Sequence, residues 1–246
     1  MRKTLSLARR ELAAYFFSPI AYIVGALFLA ASSAIFFFGF SWLDIDPIFR
    51  PGNEASLRPL FEAMAYIMVF AIPLLTMRLL SEEFHSGTIE TLMTAPVTDG
   101  EVVLGKFLGV LGFYVALLAG TVAFLVLMIV FGQPDPGVAA MGYLGMVLLG
   151  AAFASVGIFA SALTRHQLLA AVVAIAILSV FALLMQVVVQ YAGSPWSSLA
   201  SRLNAITYFK DFARGVFDTR GLAFYVSATA LFLFLSIKVL ESRRWR

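Results

Sequence analysis

Long apolar runs divided by short charged clusters dominate the chain, and their lengths set the fold. About 20 apolar residues at 1.5 Å each are needed to cross a ~30 Å hydrocarbon layer. Between Glu11 and Asp44 lie 32 uncharged residues, between Lys106 and Asp135 another 28, and between Asp135 and Arg165 a further 29. Each holds one span, over 20–42, 104–131 and 138–163. The stretch after His166 stays uncharged to Ser201 and holds a span over 168–191. The 17 uncharged residues between Arg220 and Lys238 hold the last, over 221–240. Only 15 uncharged residues separate Glu62 from Arg78. The second span, over 60–80, therefore borrows Leu60-Phe61 and Leu79-Leu80, and Pro73 is expected to kink it. The predicted fold is all-α, a polytopic membrane protein with six transmembrane helices in one domain over 1–246.

Local punctuation agrees. Ser18-Pro19 reads as a helix cap and a first-turn proline, and Gln133-Pro134-Asp135-Pro136-Gly137 as a turn between the third and fourth spans. Thr98-Asp99-Gly100-Glu101 is a capping box that starts the third and accounts for both acidic residues without any function. Residues 2–17 predict an N-terminal amphipathic interfacial helix, with Leu5, Ala8, Leu12 and Phe16 on one face and Lys3, Ser6 and Arg10 turned away. A signal peptide cleaved after Ser32-Ser33-Ala34 is the rival reading. The apolar run continues through Ile35-Phe36-Phe37-Phe38 and the leading segment is too long, so the segment is read as retained.

Composition makes the bilayer the only tolerable solvent. Hydrophobic residues are 61% and charged residues 13% of the chain, where soluble domains carry roughly 25% charged; the mean hydropathy is +0.94. Six spans put both termini on one side, which then carries eleven Lys and Arg against six on the other. By the positive-inside rule that side is the cytoplasm. The net charge of +3 is spread over segment ends and reads as topology, not as a nucleic-acid surface. The absence of cysteine excludes disulfides, thiolate metal sites and cysteine nucleophiles.

Motifs for chemistry are sparse. His85 and His166 each sit beside a helix end and read as bystanders, not as metal ligands. The paired Glu82-Glu83 occurs at the membrane face of some intramembrane metalloproteases, but position 87 is Gly87 where those have arginine, and no span contains a histidine. Gly100-Glu-Val-Val-Leu-Gly105-Lys106 fits seven positions of a phosphate-binding loop; Phe107 stands where Ser or Thr would hold magnesium, and no strand precedes it. Gly105 and Gly109 permit close helix packing, or are small residues of an ordinary membrane helix. The chain is expected to be no enzyme, with no cofactor of its own.

The informative segment is 82–100, between the second and third spans. Gly87 can stop one helix in the left-handed conformation, Thr88 can cap a second, Glu90 suits its first turn and Pro96 ends it. Ile89, Leu92 and Met93 share a face of something too short to span a bilayer. Such an element is either a docking helix in search of a groove or a membrane-surface helix that touches only lipid.

This loop, with the later Val103-Leu104-Gly105-Lys106, resembles the permease subunits of the type-2 ABC exporter family, in the order acidic residue, Gly-Thr-x-Glu-x-Leu, Pro, then Gly-Lys. The run Phe212-Ala-Arg214-Gly215-Val-Phe-Asp218-Thr-Arg220 and the closing Arg243-Arg244-Trp245 resemble its gliding-motility-associated branch. The resemblance covers essentially the whole chain. It implies a bacterial cytoplasmic-membrane subunit with both termini cytoplasmic, a separate ABC ATPase that holds ATP and magnesium, and a second permease subunit, identical or related. It also implies that Glu82, Glu83, Gly87, Thr88, Ile89, Glu90, Leu92, Met93 and Pro96 form the joint to that ATPase. Residues 194–217 then correspond to short re-entrant helices, with Arg202, Lys210 and Arg214 as candidate exit-side lining; an external amphipathic loop is the alternative. ATP-driven export is the expected activity, and an ATPase-coupled mechanical or scaffolding role without solute transport is the alternative. The near-absence of charge inside the spans favours an amphipathic, lipid-like or peptide cargo over a strongly ionic one.

Overall fold

The computed structural model describes residues 2–39, 56–87, 98–131 and 134–244. Among these, the chain is helical throughout. Helix α1 (Arg2–Phe16) leads into α2 (Pro19–Phe38), followed by α3 (Arg58–Thr76) and a stub, α4 (Ser81–Ser86). Then come α5 (Asp99–Phe131), α6 (Pro136–Leu163) and α7 (Gln167–Ser179). A π-helical turn (Val180–Leu184) joins α7 to α8 (Met185–Tyr191), and α9 (Trp196–Leu203), α10 (Ala205–Ala213) and α11 (Thr219–Arg244) complete the fold. Six helical segments are long and apolar enough to cross a membrane, and they fall where the uncharged runs place them. The start of α1, the end of α11, the stub and the 163–167 turn lie on one face, called here the terminal face.

Helix α6 is the centre of the bundle, in contact with α3, α5, α7, α10 and α11. Small residues let its neighbours approach: a Cβ on Gly150 would meet the Tyr114 ring at 2.1 Å, and one on Gly142 the Phe61 ring at 2.3 Å. Tyr114 then sends its hydroxyl to the Met146 carbonyl at 2.9 Å. Side chains on α2, α5, α7 and α11 facing away from this centre stay exposed and apolar, among them Leu27, Val130, Val172 and Phe234. That is the inside-out surface a hydrocarbon solvent requires.

Two span ends and one span interior differ from expectation. The second span's α-helix ends at Thr76, four residues early, and residues 77–80 form a turn before α4; Pro73 lies inside α3, where its missing N–H costs the helix one ladder bond a turn upstream. The third span starts at Asp99, where Thr98 and Glu101 bond reciprocally as a capping box at 3.0 and 3.2 Å. At 33 residues α5 is about 50 Å long, well beyond the hydrocarbon thickness. The fifth span carries the π turn at Val180–Leu184, one inserted residue in the helical ladder.

On helix α1, Leu5 and Phe16 of the predicted apolar face are 69% and 44% exposed, as a lipid-facing side is, and a stripe of Leu7, Ala8, Glu11, Leu12 and Tyr15 turns inward, Ala8 and Tyr15 buried and the others half-buried. The stripe lies in register along α5: a Cβ on Gly105 would stand 2.7 Å from Leu7, and one on Gly109 2.6 Å from Cβ of Glu11. The Gly-x-x-x-Gly spacing thus serves close packing, with the N-terminal helix as its partner.

Between the fifth and sixth spans, α9 and α10 form a helical elbow that turns back along α6. Phe209 and Phe212 of α10 pack against Gly145, and Gly215 meets Val138. Leu203 and Ala205, at the bend, share an apolar cavity of about 580 Å³ with Ala152, Phe181 and Leu231. The bend satisfies its own polar groups. Asn204, wholly buried, accepts from Ile206 N–H at 2.8 Å and Thr207 N–H at 3.4 Å. It donates to Gln186 at 2.8 Å, and Tyr225 donates to the Ala205 carbonyl at 2.6 Å.

Candidate coupling face

The interrupted end of α3 is held together from outside. Thr76 Oγ1 donates to the Ile72 carbonyl at 2.9 Å, a side-chain bond onto the last turn of α3. Ser161, buried on α6, donates to the Met77 carbonyl at 2.9 Å and accepts from Leu80 N–H and Ser81 N–H, both at 3.0 Å. One hydroxyl therefore uses its donor and both its lone pairs to splice the break. Ser81 adds its own hydroxyl to the Met77 carbonyl at 2.5 Å.

The stub α4 is then tied on three sides. Glu83 Oε1 receives a hydrogen bond from Lys106 Nζ of α5 at 2.7 Å, and the same ammonium reaches Glu11 of α1 at 3.3 Å. Lys106 is 2% exposed; a buried ammonium is tolerable only when paired and hydrogen-bonded, and two carboxylates from two other helices meet that need. Phe84 lies under the Arg243 guanidinium of α11 at 4.4 Å, and Arg243 donates to the Leu163 carbonyl at 2.6 Å. His85 and His166 face each other with ring centroids 6.0 Å apart. Gly87 ends the stub at φ 73°, ψ −1°, the left-handed conformation expected of a helix-stopping glycine.

Beside the stub, α1, α2 and the α3–α4 turn enclose a cleft of about 490 Å³. Arg78 projects into it, donating to Ser18 Oγ at 2.5 Å with its guanidinium 5.1 Å from the Tyr15 ring centre. Tyr15 donates to the Leu75 carbonyl at 2.8 Å. Burial raises its phenol well above the ordinary value; nearby Arg78 opposes that shift and Glu11 adds to it. Tyr15 is thus a neutral donor that fixes α1 to α3.

The family described as ABC-2 family transporter protein matches residues 7–240. The chain belongs to that family. It is accordingly a multi-pass membrane subunit of an ABC transporter, a family whose members work with an ABC ATPase. No curated protein matches the chain.

Of the residues the sequence assigns to the joint of this ABC-2 subunit, Glu82, Glu83 and Gly87 lie on or just after the stub: Glu82 is exposed and Glu83 is drawn inward. Thr88, Ile89, Glu90, Leu92, Met93 and Pro96 lie outside the described residues. Arg202 lies in the last turn of α9 and is exposed, Lys210 is half-buried on α10, and Arg214 is exposed after it, so all three ride on the elbow. The sequence missed Glu11, Lys106 and Ser161. A lone lysine at the head of a long apolar helix marks a partner requirement, but not which carboxylates meet it. The two histidines, read as isolated, are brought together.

Proposed function

We propose that this ABC-2 subunit is the membrane half of an ATP-driven exporter, with the segment after Gly87 as the joint that receives force from a separate ATPase. The observation that carries the reading is Lys106, buried between Glu83 of the stub and Glu11 of the leading helix. Through Lys106, Ser161 and Arg243 the root of the 88–97 segment is fastened to α1, α5, α6 and α11. A push on that segment is therefore delivered to helices around the whole terminal face. Coupling requires that the two transport states differ in their contacts with the segment.

On this reading the terminal face is cytoplasmic, in agreement with the excess of basic residues there, and the membrane is a bacterial cytoplasmic membrane. A second permease subunit completes the pathway, and ATP and magnesium sit on the ATPase. The elbow α9–α10 is re-entrant: its bend meets the middle of α6, and every polar group named there has a partner, as non-helical backbone at membrane depth requires. Arg202, Lys210 and Arg214 then lie on the exit side. The apolar cavity at the bend supports a lipid-like or amphipathic cargo over an ionic one. Within the family, the Phe212–Arg220 run supports the gliding-motility-associated branch.

The test is co-purification. Replacement of Glu90 and Leu92 by lysine is expected to abolish recovery of the ATPase with the subunit while membrane insertion persists. Undiminished recovery would overturn the joint.

A further inference from the structure

The cavity at the elbow bend is walled by middle residues of three spans: Phe153 and Val156 of α6, Phe181 of the fifth span and Leu231 of α11. It therefore stands near the midplane of the bilayer, about 15 Å from either headgroup region. Two departures from regular helix meet there. Phe181 belongs to the π turn, a feature often found at functional sites, and Leu203 and Ala205 flank the bend of the elbow. Among the described residues Ser227 is the one polar side chain on the wall, and its hydroxyl donates to the Phe224 carbonyl at 2.9 Å. Beside the bend, Asn204 and Gln186 are spent on each other, and the Ala205 carbonyl on Tyr225. A buried water needs two to four polar partners, which this wall does not supply, so the cavity suits hydrocarbon. An apolar cavity of about 150 Å³ takes a benzene ring, and one of about 580 Å³ takes roughly four times as much, the scale of an acyl chain.

The mouth shows where that hydrocarbon comes from. Leu203 and Leu231, 39% and 54% exposed, edge the cavity, and the exposed apolar surface of α11 runs past it through Val226 and Phe234. This surface is turned to lipid, so the cavity opens onto acyl chains. We propose that it holds the distal part of one acyl chain of a bilayer phospholipid, gripped between the fifth and sixth spans beside the elbow. Such a chain touches α6 in the centre of the bundle, where lipid that merely surrounds the helices does not reach. The inference needs the membrane-spanning fold alone and stands whether or not the subunit couples to an ATPase.

The full-length chain is reconstituted in dioleoyl phosphatidylcholine vesicles doped with a phosphatidylcholine that carries a diazirine near the end of one acyl chain. After irradiation, labelled residues are mapped by peptide mass spectrometry. Ala152, Phe153 and Val156 are 5% exposed or less and line the cavity, so only a chain inside it can label them. Adducts are expected on these three as well as on the exposed Val130 and Val172. With the diazirine moved next to the headgroup, the α6 adducts are expected to vanish. Ala228→Phe, which adds a ring to the cavity wall, is expected to lower α6 labelling about tenfold relative to Val172, the equivalent of about two buried methylenes. Labelling confined to exposed residues, α6 labelling indifferent to the position of the diazirine, or α6 labelling unchanged in Ala228→Phe would overturn the proposal. If Ala228→Phe fails to fold, the α6 adducts of the unaltered chain and their dependence on diazirine depth decide.

Discussion

Ser161 donates to the carbonyl of Met77 at 2.9 Å across 84 positions of sequence, and accepts in return from the two amides that restart the helix beyond the break. Where the second span stops short, these bonds pair the Met77 carbonyl and the Leu80 and Ser81 amides, groups that cost about 1–3 kcal/mol each if left unpaired in a buried setting. The turn is as much a product of α6 as of the segment that contains Pro73.

Removing that hydroxyl isolates its contribution. Ser161→Ala is expected to destabilise the protein by about 1–3 kcal/mol and to speed hydrogen exchange at Leu80 and Ser81. Exchange at those two amides unchanged from the parent would show that the splice is dispensable.

Lys106→Met leaves Glu11 and Glu83 facing each other without their shared cation. Breaking a buried ion pair by deleting one partner costs about 3–5 kcal/mol, so thermal unfolding in detergent should fall steeply. Adding Glu11→Gln and Glu83→Gln to the same protein should recover part of the loss. A triple variant no better than the single one would place the lysine's role in packing alone.

Gly109→Leu tests the seat of α1. The Cβ alone would lie 2.6 Å from Cβ of Glu11 and 3.3 Å from the Ala8 carbonyl, so α1 must lift away. Overpacking of this kind costs about 1–3 kcal/mol or more, and limited proteolysis should then cut near Phe17, at the end of α1. A cleavage pattern like that of the parent would count against the close α1–α5 contact.

Gly87→Ala changes the direction in which the chain leaves the stub. At φ 73° an alanine is strained by about 1–2 kcal/mol, yet a Cβ there would meet nothing within 4 Å among the described residues, so the penalty there is conformational. Global stability should fall by no more than that strain, while ATPase activity stimulated by the membrane subunit should drop. Full stimulation would mean that the exit angle is unimportant.

The six crossings were readable because a bilayer penalises charge along a whole span, and that penalty is written residue by residue. The contacts that shape the terminal face were not. Lys106 finds Glu11 across 95 positions and Glu83 across 23, and no local period encodes such pairings. The protein-facing stripe of α1 was not legible for a different reason. Periodicity separates apolar from polar positions, but lipid is as apolar as a helix neighbour, so two apolar stripes, one with Leu5 and Phe16 and one with Leu7 and Leu12, cannot be ranked from their composition. Gly87 and the Thr98–Glu101 box were legible because caps are local chemistry.

The length of α5 has an outcome for the membrane around it. With about 50 Å of helix set in about 30 Å of hydrocarbon, and with Thr98, Asp99, Glu101 and Lys106 all at one end, the overhang stands on the terminal side. A thinner bilayer would merely uncover more of a rod already splinted by α1. A thicker one would push acyl chains toward Asp99 and Glu101, so lipid thickness becomes a one-sided dial on this protein's comfort.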